Sequence, residues 1–402
     1  MSVESVPDRP VPRWLHVGAV VAVGISLFPL VLGMIVTSVR AGMADPKWPT
    51  EPWYLLNNFQ LKFGYLIEHS HRIAGFVLGI VFSLLTLGFW RTEPRTVARW
   101  AGLAALVVML AAYGQLHKVV DNQSQGQRTV WPVPVLAVIG AAFLAAVGLA
   151  VSGRGVRGSG LRLLAVVALA GVMFQGVLGG LRVRENPIGG DRLAPVHGVF
   201  GQVVFCLLVA LAVLTARPAA GEVPAPARRV LGRVSVLLVG LLFVQLVWGA
   251  LVRHFPDPLN QRLHLLTAFL VVAAAVWLLR VGFTTATRPR VAVAGWVLGA
   301  LLVTQVTLGV EAWMTKFGEE ARRGKPASSF LPEAEAVTEK QAVLRTTHTL
   351  IGTGVLAAAV VIALRVRQRP GSKADNGTGV GFARQAAPRP GLVGAGQTGE
   401  TT

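Results

Sequence analysis

Residues 163–182 read LLAVVALAGVMFQGVLGGLR. No charge interrupts the run from Leu163 to Leu181, and Arg182 closes it. A helix needs about 20 predominantly apolar residues to cross the hydrocarbon layer of a bilayer. The run lacks the strict alternation of a barrel strand, and in lipid only a helix or a closed barrel satisfies its own backbone. It therefore reads as one membrane-spanning helix, at about 160–181. Nine more stretches of this kind lie on either side, at about 15–39, 65–90, 98–117, 131–152, 195–216, 230–252, 261–281, 291–314 and 346–366. The predicted fold is all-α, a polytopic membrane protein of about ten transmembrane helices.

Composition agrees. Of 402 residues, 53% are hydrophobic and 14% charged, against roughly 25% charged in an ordinary soluble domain. The net charge of +19 is spread in small groups between apolar runs, which suits membrane flanks rather than the continuous basic stripe of a nucleic-acid binder. The lipid bilayer is the expected partner, and nucleic acid is not. A single cysteine, Cys206, makes no internal disulfide and no zinc site. The first apolar stretch spans and lacks a small-residue cleavage site, so it is expected to stay as a helix. Trp14, Trp90, Trp100, Trp131, Trp277 and Trp313 fall near segment ends, where interface anchors sit. Arginines favour the loops that share a side with the N-terminus, and Arg367, Arg369 and Lys373 follow the last span. Both termini are expected in the cytoplasm and the chain in a bacterial inner (plasma) membrane. Residues 315–345 read as a long outer loop, and residues 370–402 as a disordered tail.

The quoted stretch also recurs. Gln175 to Arg182 ends one helix and His197 opens the next; Gln245 to Arg253 is followed by His264, and Gln305 to Val310 by His348. A weaker copy has Leu32-Gly33 and Arg40 before His71, with Pro29 at the glutamine position. The segments at about 98–152 stand outside the scheme and read as an inserted helical hairpin. A hairpin preserves sidedness, so all four histidines fall on one face of the membrane. The predicted domains are an N-terminal bundle, 15–216, carrying the hairpin, and a C-terminal bundle, 230–366.

A lone histidine in a membrane helix usually serves a structural hydrogen bond. Four at equivalent repeat positions point to function, because polar groups there are costly. Histidine is an axial ligand of haem iron, and facing helices can present one imidazole to each face of a porphyrin. Chain order pairs His71 with His197 and His264 with His348. Haem carries propionates, which arginines bind through paired hydrogen bonds. Arg40, Arg182, Arg184 and Arg253 stand where they would meet propionates or lipid phosphates. Glu68, His71 and Arg72 share a helix face. Glu68 is either an acid, base or charge stabiliser beside a metal ligand, or half of a structural ion pair with Arg72. His16, His69, His117 and His254 have no place in the repeat and read as structural.

Together, Glu68-x-x-His71-Arg72, the Gln-x-x-Leu/Trp-Gly helix ends, the recurring histidines and the loop Ala41-Gly42-Met43-Ala44-Asp45-Pro46-Lys47-Trp48-Pro49 resemble the haem A synthase family over about residues 15–366. The resemblance implies two pseudo-symmetric four-helix bundles. The C-terminal one would hold haem b on His264 and His348. The N-terminal one would receive haem O near His71, His197 and Glu68, with Arg40, Arg72, Arg182 and Arg253 among the cofactor-binding residues. It implies oxidation of a pyrrole methyl of haem O to a formyl group through an alcohol, with Glu68 stabilising positive charge at that carbon or moving its proton. Implied partners are an electron acceptor, haem O synthase and cytochrome oxidase assembly factors. The chain departs from the family in having ten helices rather than eight and no cysteine in residues 41–62. Two other readings share some features. A membrane cytochrome b would use the same bis-histidine sites without Glu68, and a transporter would need no matched histidines.

Overall fold

The computed structural model describes residues 11–45, 48, 62–124, 126–156, 158–217, 224–255, 257–284, 288–315 and 338–368. The chain here forms ten long helices: α1 (Arg13–Ser38), α2 (Phe63–Arg91), α3 (Thr96–Asp121), α4 (Val133–Ser152), α5 (Ser159–Arg184), α6 (Leu193–Thr215), α7 (Ala225–His254), α8 (Pro258–Gly282), α9 (Arg288–Trp313) and α10 (Glu339–Arg367). All ten are long and apolar enough to cross a membrane, and the described residues contain no strand. Most of the expected outer loop and the whole of the expected tail lie outside the described residues. Large apolar side chains face outward along the helices, among them Phe28 (65% exposed), Leu84 (64%) and Phe269 (67%). A water-soluble protein rarely exposes so much apolar surface, whereas lipid is its natural solvent. The chain is a multi-pass membrane protein.

Local chemistry sets the helix ends. At the end of α1, Arg40 takes φ 58°, Val39 N–H donates to Ile35 O at 2.8 Å, and Ala41 N–H donates to Val36 O at 2.9 Å. A left-handed residue followed by such a long-reaching bond is a helix stop usually built on glycine. Before α8, the Asp257 side chain accepts from Leu259 N–H at 2.6 Å, with Pro258 in the first turn. Before α10, Thr338 and Gln341 form a reciprocal capping box. That cap starts the helix at Glu339, about two turns ahead of the expected 346, and brings Arg345 onto it.

Neighbours in sequence pack as pairs: α1 with α2, α5 with α6, α7 with α8 and α9 with α10. The pairs join through α1, α6, α7 and α10, each packed on others of the four. One apolar core runs from α1 through α6, and a second from α6 through α10. α6 serves both, with Leu208 and Leu211 in the first and Phe205 and Val209 in the second.

The extra hairpin, α3 and α4, packs on itself and meets the rest through α2 and α5. Buried charge pins both its ends. At one end Glu93 accepts from Arg95 Nε at 2.8 Å and pairs with Arg162 at 2.8 Å, while Arg95 Nη2 reaches Leu149 O at 3.0 Å. At the other, Arg184 donates to Gln123 O and Ser124 O at 3.1 and 3.0 Å, and Thr129 N–H donates to Glu185 at 2.8 Å. Trp90 is not an interface anchor as expected. It is fully buried, and Gly102 of α3 leaves the space its ring fills.

Candidate functional site

Each repeat histidine lies over a glycine of the preceding helix. A methyl group built on Gly33, Gly179, Gly249 or Gly309 would stand 2.9, 3.1, 3.1 or 3.0 Å from Cε1 of His71, His197, His264 or His348. Side-chain contacts are seldom so close, so a residue with a Cβ would push the ring outward and the glycine sets how near it sits to the helix. Four residues before each glycine, on the same face, is a second partner. The amides of Gln175, Gln245 and Gln305 reach ring nitrogens of His197, His264 and His348 at 3.1, 3.3 and 3.2 Å. In the first copy the residue is Pro29, whose backbone carbonyl accepts from His71 Nδ1–H at 2.8 Å. This bond fixes the tautomer and leaves the Nε2 lone pair open to a metal.

The rings meet in two pairs. His71 and His197 have centroids 6.4 Å apart with planes at 86°; His264 and His348 are 6.5 Å apart at 74°. An imidazole nitrogen bonds a metal at about 2 Å and lies roughly 1.2 Å from its ring centroid, so two rings on opposite sides of one ion stand roughly 6.4 Å apart. Nδ1 of both His264 and His348 is buried and meets no protein partner among the described residues. An unmade bond of this kind costs about 1–3 kcal/mol. Each pair can therefore grip one metal ion. Among the described residues, no group of three or more His, Cys, Asp and Glu side chains gathers around a common point.

Among the described residues, a buried charge cluster sits beside the first pair and none beside the second. Glu68 (3% exposed) accepts from Arg72 Nη2 at 2.8 Å on Oε1 and from Asp45 N–H at 2.8 Å on Oε2. Asp45 (0% exposed) pairs with Arg72 at 3.1 Å and with His69 Nδ1 at 3.0 Å, and its carbonyl accepts from Arg72 at 2.6 Å. His69 stacks on Tyr65 with centroids 5.2 Å apart. The Glu68–Arg72 pair read from sequence is present, and His69 joins the cluster through Asp45. Asp45 was missed: it comes from the loop after α1, and nothing in its own stretch marks it as the partner of residues on α2.

The expected arginines divide. Arg182 lies over Gly42, which leaves room for its guanidinium, and its charge acts on both His71 and His197. Arg253 acts on His348. Arg72 is engaged with Glu68 and Asp45. Arg40 is exposed at the helix stop. Arg184 is spent elsewhere, since its buried guanidinium holds the hairpin loop instead of facing a histidine pair. The glutamines and glycines that seat the rings were visible as a repeat, and their four-residue spacing is the signal that assigns them to one face.

Fold and site together define a polytopic helical membrane protein with two matched histidine pairs at equivalent repeat positions. The chain is similar to the heme A synthase of Methylobacterium nodulans, at 30% identity over 125 residues, or 27% of this chain and 34% of that protein. It thus spans about a third of the length of the curated relative it matches. No family model matches it, and no solved structure does.

Proposed function

We propose that the protein is a haem A synthase, with haem b held by His264 and His348 and the substrate, haem O, by His71 and His197. The observation that carries this is the asymmetry between two equal pairs: both have the ring spacing that one iron between two imidazoles would require, and among the described residues only the first has a buried carboxylate, Glu68, beside it. The similarity to a heme A synthase supports it independently. A cytochrome that only relays electrons has no use for Glu68.

Haem b, held by His264 and His348, would supply one-electron redox chemistry. The residues of the chain do the rest. The glycines and glutamines fix the imidazoles, and the Pro29 carbonyl holds His71 in the ligating tautomer. Both oxygens of Glu68 take hydrogen bonds, from Arg72 and from Asp45 N–H, which hold the carboxyl in one position. From there it would stabilise positive charge developing at the substrate methyl carbon or take its proton. Each of two successive oxidations removes a pair of electrons and a pair of protons, and water supplies the oxygen that becomes the formyl group. Arg40, Arg182 and Arg253 would supply positive charge for the propionates, while Arg72 holds Glu68 in place. The site faces the outer side of the plasma membrane, with both termini in the cytoplasm, and haem O synthase and cytochrome oxidase assembly factors are the expected neighbours.

The test is co-expression with a haem O source in membranes that make no haem A, followed by extraction and identification of the haems. Haem A should appear. A folded, haem-loaded protein that yields only haem O points to an electron-transfer cytochrome.

A further inference from the structure

Four arginines line one cleft at the end of the bundle opposite the histidines. Arg228, Arg229 and Arg233 come from the first three turns of α7, and Arg367 is the last residue of α10. Gly232 completes the lining of a space of about 290 Å³. A water molecule needs only about 10–15 Å³ of such space, so the cleft admits a phosphate group. Arg367 stands 19 residues beyond His348 on α10, about 28 Å along the helix. The cleft is therefore separate from the histidine pairs.

The arginines share this space without a counter-charge. Arg367 Nη2 donates to Gly232 O of α7 at 2.6 Å, and its Nη1 donates to Ala363 O of α10 at 2.9 Å. Both acceptors are neutral, so they hold the guanidinium between the two helices and leave its charge in place. Among the described residues, none of the four arginines makes an ion pair, and the first turn of α7 has no acidic side chain. The one carboxylate among them at this end of the helices, Glu93, is taken by Arg95 and Arg162. Like charges gathered in one place repel one another. The inward bias of arginine explains basic residues on this side of a membrane protein. It does not explain why two segments far apart in the chain line a single cleft with theirs.

We propose that this cleft binds a phosphate group, supplied by the headgroup of an anionic phospholipid. Guanidinium groups match phosphate oxygens through paired hydrogen bonds, and basic pockets between membrane helices take lipid headgroups. The surface beyond the cleft favours a lipid over free phosphate. At helical spacing from Arg229 and Arg233, on the same face of α7, follow Val236 (51% exposed), Leu237 (49%) and Val244 (46%). They form an apolar strip along which acyl chains can lie, and free phosphate has no use for one. A headgroup seated here touches both α7, whose Gly249 seats His264, and α10, which carries His348. It would fasten those two helices at their far ends, whatever the histidine pairs hold.

The test uses purified full-length protein in neutral detergent, with phosphatidylglycerol or phosphatidylcholine titrated in and bound lipid counted by native mass spectrometry. Wild type should bind phosphatidylglycerol roughly tenfold more tightly than phosphatidylcholine, and Arg229→Gln/Arg233→Gln should lose about that factor. Arg91→Gln/Arg280→Gln removes the same charge from the same end of the bundle, outside the cleft, and should keep the preference. Equal losses in the two double variants overturn the site, because they reveal only a general attraction between charges. Wild type that shows no preference overturns it too. Inorganic phosphate at the same concentration should not displace the lipid; if it does, the cleft takes soluble phosphate and the lipid assignment falls. Should Arg229→Gln/Arg233→Gln not fold, Arg233→Gln against Arg280→Gln gives the same comparison.

Discussion

Glu68 is buried and held by Arg72 of its own helix and by the Asp45 backbone N–H from the loop after α1, and this separates binding from chemistry at a single side chain. Its contacts are to Arg72 and the Asp45 backbone, and none is to His71. Glu68→Ala should therefore leave haem bound, with an unchanged Soret spectrum, while haem A formation stops; normal haem A formation by that variant would remove Glu68 from the mechanism. Asp45 behaves differently, because its carboxylate neutralises Arg72 and holds His69, and both are buried with it. Stripping one partner from a buried pair costs about 3–5 kcal/mol. Asp45→Ala should thus lower the unfolding midpoint in detergent and reduce haem A formation as well, whereas Asp45→Asn keeps the shape and the backbone N–H on Glu68 and should unfold between the two. The four repeat histidines and Glu68 were legible because they recur or stand alone as charges inside apolar helices. Asp45 was not, because a loop carboxylate acquires meaning only when the chain folds it over α2.

Helices were legible wherever lipid dictates composition, and least so where polar residues extend them. All ten spans were readable, yet α10 starts about two turns before its expected apolar run because Thr338 and Gln341 cap it. The hairpin of α3 and α4 was readable as an insertion, while the charges that fasten it were not. Glu93 is the decisive one. Burial alone would raise its pKa, but hydrogen bonds from Arg95 and the charges of Arg162 and Arg95 outweigh that and hold the carboxyl below its ordinary value. A carboxyl depressed by folding contributes stability that is complete above its unfolded pKa, near about 4.3, and is lost as pH falls through the lowered folded value. The wild-type unfolding midpoint should therefore drop on acidification below about pH 4. Glu93→Gln, which leaves Arg162 buried without its counter-charge, should start about 3–5 kcal/mol lower and lose less over the same acid range. Parallel acid profiles for the two proteins would show that Glu93 does not fasten the hairpin.

The whole molecule keeps two nearly equal sites and makes them unequal through small differences in their surroundings. Ring spacings of 6.4 and 6.5 Å, one glycine beneath each ring and one amide or carbonyl beside it are what the two sites share. Pro29 in place of glutamine, Glu68 with Asp45, and the hairpin on α2 and α5 belong to the first site alone. The repeat was legible in sequence because the same ring seat is built four times from local spacing; its division into two pairs depends on which helices pack together, which spacing alone does not fix. The two apolar cores share only α6 as a principal wall, so loss of one site should not unfold the other. His197→Ala should then retain the haem of His264 and His348, and His348→Ala the haem of His71 and His197, each at half the wild-type haem content per protein. The ring planes add a spectroscopic signature, because axial imidazoles set nearly perpendicular, at 86° and 74°, give ferric haem the highly anisotropic kind of low-spin resonance rather than the kind produced by parallel rings. One such signal should vanish in each variant while the other persists. Loss of both haems from either single variant would mean that the four histidines make one interdependent site, and the pairing of His71 with His197 and His264 with His348 would have to be abandoned.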